Sequence, residues 1–293
     1  MSASRRGSAQ WASSASVTEA DVDVLIPTAR NGEELAVTLA GLAAQDEPRF
    51  SVIIGDQSGS GVTRSPAVRA MVRVLRAQGR PVELHRHLPR AGMAEHRQFL
   101  LDLATAPRVL FLDDDVWLEP GAFERLTDAL TRHDCGFVGY APQGLSHLPR
   151  PCPRDFGVFE PWPDATVLSE RIRPGDAAVG RWILHNAANV AHLAERLELL
   201  DDSAFPYRVA WVGGCVLFDR AALLDAGGFT FWPLLDPDHI GEDRVAQWLV
   251  MERFGGAGIL PSGAVHVESP SVLPSGAREA SEVVFGSSAS VLQ

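Results

Sequence analysis

A chain of 293 residues with 46% hydrophobic and 22% charged residues has ordinary globular composition and room for one large α/β domain or two small ones. Its net charge of −11 argues against a nucleic-acid polymer as partner. All 26 basic residues are arginine, which excludes a Walker-A lysine, a Schiff-base lysine and a lysine general base.

Residues 1–18 are rich in Ser and Ala around Arg5 and Arg6, with no apolar core of a signal peptide, and read as a disordered leader. Asp21–Pro27 reads as the first strand. Asn31, with Glu34 three residues on, has the pattern of a helix N-cap, and Leu35, Leu39 and Leu42 follow at helical spacing. Phe50–Gly55 is a second strand that ends at Asp56. A helix starts near Pro66 and closes at Gly79, Val82–His85 is a short strand, and Met93–Ala104 is helical. A mostly apolar strand, Arg108–Leu112, then runs into Asp113, Asp114 and Asp115. Adjacent carboxylates repel one another unless a cation or solvent receives them. Hard oxygen ligands of this kind suit Mg²⁺ or Mn²⁺. Val116–Leu118 is apolar again and keeps the acids close to the core. A helix opened by Pro120 and a strand at Gly136–Tyr140 follow.

Strands alternating with helices predict βαβ units and a largely parallel sheet, with the polar ends of strands one, two and four gathered along one edge. From Gln143 to Arg181 six prolines break the pattern, and the stretch reads as a long loop. Beyond it the pattern predicts a helix at Ala187–Leu200, a strand at Val209–Phe218 interrupted by Gly213-Gly214, and a short helix from Arg220. Glu242-Asp243 opens a further helix, and a strand at Ala264–Val267 carries His266. The stretch from Ser269 is Ser/Pro/Gly-rich and reads as a mobile tail. Cys135, Cys152 and Cys215 are widely spaced and odd in number, so neither a zinc site nor a disulfide framework is expected, and a reducing cytoplasm fits. No apolar run approaches the ~18 residues of a membrane-spanning helix. Self-association into a homo-oligomer is left open.

These residues together resemble the family 2 glycosyltransferases of the nucleotide-binding GT-A type. Val24–Asn31 resembles the family's opening strand and loop, and Ile53–Ser58 its second strand. Arg90–Arg97 resembles the Gly-containing donor loop and its helix, and Asp113–Asp115 the metal-binding DxD. Gly213-Gly214 through Phe229 resembles the acceptor-side strand and helix, and Glu242-Asp243 the acidic pair that supplies the base. One departure is Gly55-Asp56, where the family usually has two acids. Residues 143–208 match no part of the pattern.

The resemblance implies a single α/β GT-A-like domain over 19–268, with a Rossmann-like sheet, a nucleotide-sugar half to about 140 and an acceptor half beyond. It implies a UDP-, GDP- or dTDP-linked sugar donor, a hydroxyl-bearing acceptor and a divalent metal. Pro27, Thr28, Arg30, Gly92 and Asp114 would lie at the donor, with Asp56 on the base and Asp113 on the ribose. Arg90 or Arg97 would meet phosphate, Arg90 being preferred because it precedes Gly92 in a loop. Asp115 would bind Mn²⁺ or Mg²⁺, with His266 as a further metal or diphosphate ligand. Asp243 would be the general base, with Glu242 as the alternative. Gly213 and Gly214 would lie on the acceptor side; apart from the resemblance, Trp182, His185, Asn186 and Trp211 are candidates to line an acceptor pocket, since aromatic faces and amides suit sugars and polyols.

Other chemistries fit less well. A phosphatase of the haloacid dehalogenase kind expects Thr or Val where Trp117 stands, and a lysine that is absent. No G-x-G-x-x-G follows the first strand, which argues against a dinucleotide oxidoreductase. A nucleotidyltransferase expects a Gly-rich first loop, which Pro27–Glu34 is not. A non-catalytic sugar-nucleotide or carbohydrate-binding module is the remaining alternative.

Overall fold

The computed structural model describes residues 8–13, 19–29, 32–200, 202–269 and 277–286. Most of the leader expected at 1–18, together with Arg30 and Asn31, lies outside them. Strands β1 (Val22–Thr28), β2 (Phe50–Asp56) and β3 (Val82–Arg86) alternate with helices α1 (Glu33–Ala43), α2 (Pro66–Ala77) and α3 (Met93–Leu103). Next come β4 (Arg108–Leu112), β5 (Val116–Leu118), α4 (Ala122–His133), β6 (Phe137–Gly139) and β7 (Gln143–Gly144). The second half holds α5 (Asn189–Arg196), β8 (Phe205–Tyr207), β9 (Cys215–Asp219), α6 (Arg220–Asp225), α7 (Glu242–Phe254), β10 (Gly256–Leu260), β11 (Ala264–His266) and α8 (Ala280–Gly286).

The main sheet has the order β3-β2-β1-β4-β9-β6-β10-β8. Strands β1 to β4 are mutually parallel, while β9 lies antiparallel between β4 and β6, and β8 lies antiparallel to β10 on the edge. A small sheet, β5-β11-β7, sits beside the end of β4. Alternation along β1 sorts the core. Val22, Val24 and Ile26 join Leu35, Leu39, Val68 and Phe123, whereas Leu25 joins Leu100, Val109, Phe111 and Val250. Burial on both faces explains why β1 reads as an apolar run rather than an alternating one. Its one internal acid, Asp23, accepts from the Thr105 and Ala106 amides at 2.7 and 2.8 Å.

The structure departs from sequence expectation in four places. Gly32, at φ +91°, stands at the cap of α1 with no side-chain cap bond. The strand expected at 209–218 begins only at Cys215. Before it, the Gln247 side chain accepts from Val212 N (2.8 Å) and donates to Val212 O (2.7 Å), replacing the neighbour a strand would need. The long loop is a series of short 3₁₀ turns, and the helix expected at 187–200 shortens to α5. Buried Arg181 ties that region together by pairing with Glu170 at 2.9 Å and Glu160 at 2.8 Å. Finally, residues 278–280 pair with Ile240, and α8 packs on α7, within the stretch expected to be mobile. Among the described residues, no helix is long and apolar enough to cross a membrane. All three cysteines are free thiols.

Candidate active site

The carboxyl ends of β1 and β4 meet the start of α7 around a cleft of about 390 Å³, which Asp56 at the end of β2 does not line. Parallel strands bring their ends to one edge, where backbone groups leave the ladder and polar side chains collect. Pro27, Arg90, the three aspartates, His239, Glu242, Asp243 and His266 line the cleft, with Arg97 beneath them.

The three aspartates have separate environments. Asp113 is partly exposed and accepts from Arg97 Nη2 at 3.1 Å. Asp114 is buried and accepts from the Thr28 hydroxyl, so Thr28 holds the acidic edge together. Asp115 is buried with Oδ2 3.5 Å from His266 Nε2. Glu268 N donates to His266 Nδ1 at 2.7 Å, which assigns the proton of a neutral ring to Nε2. In that tautomer His266 offers a donor that suits a phosphate oxygen; a metal would require that proton to leave. Among the described residues, no three His, Cys, Asp or Glu side chains converge as a ready-made metal cage. Buried Asp115 beside half-exposed Asp113 still fits a hard cation, since Mg²⁺ commonly takes only one or two protein carboxylates and fills up with water and phosphate oxygens.

Arg97 is a strut rather than an open anion site. Its Nε donates to Glu242 Oε1 at 2.9 Å and its Nη2 reaches Asp113, so it ties the end of β4 to the start of α7. Burial works against its charge, but Asp113, Glu242 and Asp243 outweigh that and raise its pKa. Arg90 is exposed and lines the cleft. Both Glu242 and Asp243 line the cleft, but Glu242 is committed to Arg97. Burial, then the neighbouring Glu242 charge, push the Asp243 carboxyl up to about 7 against the pull of Arg97. That is where a general base is most effective at neutral pH.

Asp56 is buried, and both of its oxygens are engaged. Ser58 donates to one from its amide (2.8 Å) and hydroxyl (2.6 Å), and Val62 N (2.9 Å) and Arg86 (3.1 Å) donate to the other. Burial raises its pKa, but these donors outweigh it and hold the carboxyl below its ordinary value. Gly92 is required where it stands: its φ is +111°, and a Cβ there would lie 2.9 Å from the His239 ring. Sequence reading missed His239. Its Nδ1 donates to Asp236 O at 2.7 Å and its Nε2 accepts from Ala94 N at 3.1 Å, pinning the donor loop to the approach of α7. A lone histidine in an irregular loop carries no periodic signal.

The acceptor-side residues disperse. Gly214 shares a small internal cavity with Asp243 and Arg97. Gly213 has open space at its α-carbon. The Trp211 ring lies under the Arg244 guanidinium at 4.1 Å. Trp182 is exposed, and neither tryptophan lines the cleft.

Residues 23–158 match the family model described as glycosyl transferase family 2. No curated protein sequence matches the chain significantly. Among solved structures, S. aureus TarS 1–349 superposes with a TM-score of 0.53 at 15% identity, covering 83% of this chain and 59% of TarS 1–349. The Pyrobaculum calidifontis mannosyltransferase PcManGT, in complex with GDP-Man and Mn²⁺, gives 0.52 at 16% identity, covering 90% of this chain and 64% of that one. TarS 1–349 in complex with UDP-GlcNAc gives 0.51 at 15%, with 86% and 62% covered. The chain thus spans less than two thirds of each, and at these identities the likeness shows the fold. The fold is the α/β GT-A arrangement of those glycosyltransferases. The stretch that the family model matches carries Arg90–Arg97 and Asp113–Asp115; Asp243 and His266 lie beyond it.

Proposed function

We propose that the protein is a metal-dependent, inverting glycosyltransferase. It moves a sugar from a nucleotide diphosphate to the hydroxyl of a small metabolite, peptide or lipid-linked saccharide. The observation that carries this reading is the position of Asp243, a carboxyl held near 7 across one cleft from three strand-end aspartates. The donors bound by the GT-A neighbours, GDP-Man and UDP-GlcNAc, support a nucleotide sugar as substrate.

In this reading the donor lies along the carboxyl edge. Asp113 takes the ribose, Arg90 pairs with phosphate, and Asp56 approaches the base, exchanging its Arg86 contact for a base N–H. Pro27 and Gly92 shape the loop walls, and Arg30 follows Pro27 in the chain. Mg²⁺ or Mn²⁺ at Asp115, with His266 beside it, would neutralise charge developing on the departing diphosphate. The acceptor enters from the side of Gly214, which shares a small cavity with Asp243. Asp243 accepts the hydroxyl proton as the oxygen attacks the anomeric carbon from the face opposite the leaving group. A single displacement inverts the configuration.

The test is a thermal-shift and turnover panel of UDP-, GDP- and dTDP-sugars with Mn²⁺ and with EDTA, repeated on Asp115→Ala. A native-state ligand raises Tm in proportion to the logarithm of its saturation. The expected result is a shift with one nucleotide class that EDTA and Asp115→Ala both abolish, and a product of inverted anomeric configuration by NMR. Equal shifts under all three conditions would remove the metal, and a retained configuration would remove the single displacement.

A further inference from the structure

The loop Asp236–Gly241 delivers Asp243 to the cleft, yet belongs to no helix and joins neither sheet. It is held from two sides. On the inside, His239 pins it to α3. On the outside, Ile240 N donates to Arg278 O at 3.1 Å and Ala280 N donates to Ile240 O at 2.8 Å, a parallel bridge centred on Glu279. The Glu279 side chain turns back over the loop. A Cβ on Gly241, whose φ is +76°, would lie 2.7 Å from Glu279 Oε2. The same oxygen is 3.1 Å from Arg244 Nη1. Arg244 follows Asp243 directly, and its guanidinium stacks on Trp211. Farther along, Phe285 packs on Trp248 at 5.8 Å, and Arg173 sits 4.4 Å above the Phe285 ring. A helix of seven residues has little stability of its own, so α8 is ordered by what it packs against.

We propose that Glu279 is a positioning residue for the Asp243 loop, so that the segment from Arg278 to Phe285 is a working part of the active site. This rests on the proposed role of Asp243. Glu279 fills the space that glycine leaves at position 241 and holds the outward side of Arg244, whose other face is fixed by Trp211. The first turn of α7 is thereby locked in rotation, and with it the direction of the Asp243 carboxyl. Misplacing a reacting group by ~1 Å costs about 10²-fold in rate. Glu279 is not among the described residues that line the cleft, so donor binding should not change.

The experiment uses the full chain with Glu279→Ala, Glu279→Gln, Arg244→Ala and the Glu279→Ala/Arg244→Ala double variant. Calorimetry with UDP-GlcNAc and with GDP-mannose in Mn²⁺ reads donor affinity, and turnover of the productive donor reads kcat. Amide hydrogen exchange reads the loop independently of activity. The expected result is a kcat loss of about 10- to 10²-fold in Glu279→Ala, a smaller loss in Glu279→Gln, and a double variant no worse than the worse single one. Donor affinity stays within twofold, and exchange quickens at Ile240 and Arg244 but not along β1. Unchanged kcat in Glu279→Ala, additive losses in the double variant, or donor affinity falling in step with kcat would each overturn the proposal. Should the wild-type chain transfer no sugar, the functional reading fails, while unchanged exchange at Ile240 in Glu279→Ala would still overturn the positioning role by itself.

Discussion

The Nε2 atom of His96 occupies the space that a side chain on Gly55 would need: a Cβ built on Gly55 would lie 2.3 Å from it. Gly55 is also where the chain departs from the two acids usual in the family it resembles. The departure therefore has a structural counterpart, a fully buried imidazole stacked 5.8 Å from His87, which in turn lies on Phe99. Gly55→Ala should cost about 1–3 kcal/mol of stability, the usual range for overpacking a dense core. In a His96→Ala background the same change should cost clearly less. Denaturant unfolding of the four chains checks this, and strictly additive costs would show that the two positions do not compete for space.

His96 should also make the fold sensitive to acid. Burial, followed by the His87 and Arg97 charges, pushes its pKa down to about 3, against about 6.5 in an unfolded chain. Between those values the unfolded state binds a proton that the folded state refuses, so stability falls as pH drops below about 6.5. His96→Leu should shrink the difference between Tm at pH 7 and at pH 5. The same difference in both proteins would mean that other groups carry the acid sensitivity.

Asp243 has the opposite sign. Its folded pKa of about 7 stands above the ~3.9 of an unfolded aspartate, so its ionisation costs stability increasingly as pH rises through that window. Asp243→Asn should gain Tm over wild type at pH 8 and match it near pH 4. The same variant should lose on the order of 10²–10⁴ in kcat with donor affinity nearly unchanged. In the wild type, kcat/KM should rise with pH through about 7. Near-normal turnover in Asp243→Asn, with loss in Glu242→Gln, would move the base by one residue.

The two arginines of the donor loop should separate cleanly. Arg97→Ala leaves Glu242 buried without its partner and should cost about 3–5 kcal/mol. Arg90→Ala should leave Tm within about 1 °C, since exposed side chains away from special features contribute little, and weaken nucleotide-sugar binding. If Arg97→Ala is the variant that keeps its Tm and loses donor affinity, the strut assignment is wrong.

The aspartate edge was legible because its physics is local. Apolar runs such as Val24–Ile26 and Val109–Leu112 must be buried, and the acids that end them must face a cleft or a cation. What could not be read was set by contacts distant in sequence. Nothing near Arg97 announces that its partners are Asp113 and Glu242, and the face of α3 it occupies would equally suit a solvated arginine. Gln247 takes over the hydrogen bonds of Val212, so an apolar run that reads as strand is not one. The region 143–208 is held by the pairing of Arg181 with Glu160 and Glu170, and charge pairs between separate loops leave no periodic trace.

The reversed strand β9 has a consequence for how the chain can be divided. Among the described residues it alone joins β4 to β6, which do not pair with each other. A fragment cut at residue 158, where the family 2 match ends, would keep β4 and β6 but leave a gap one strand wide between them. Both would present unpaired edges to any other chain, which is a route to aggregation. The same holds during synthesis: the nascent protein carries an open sheet until residue 219 has left the ribosome, and only then do its two halves become one body.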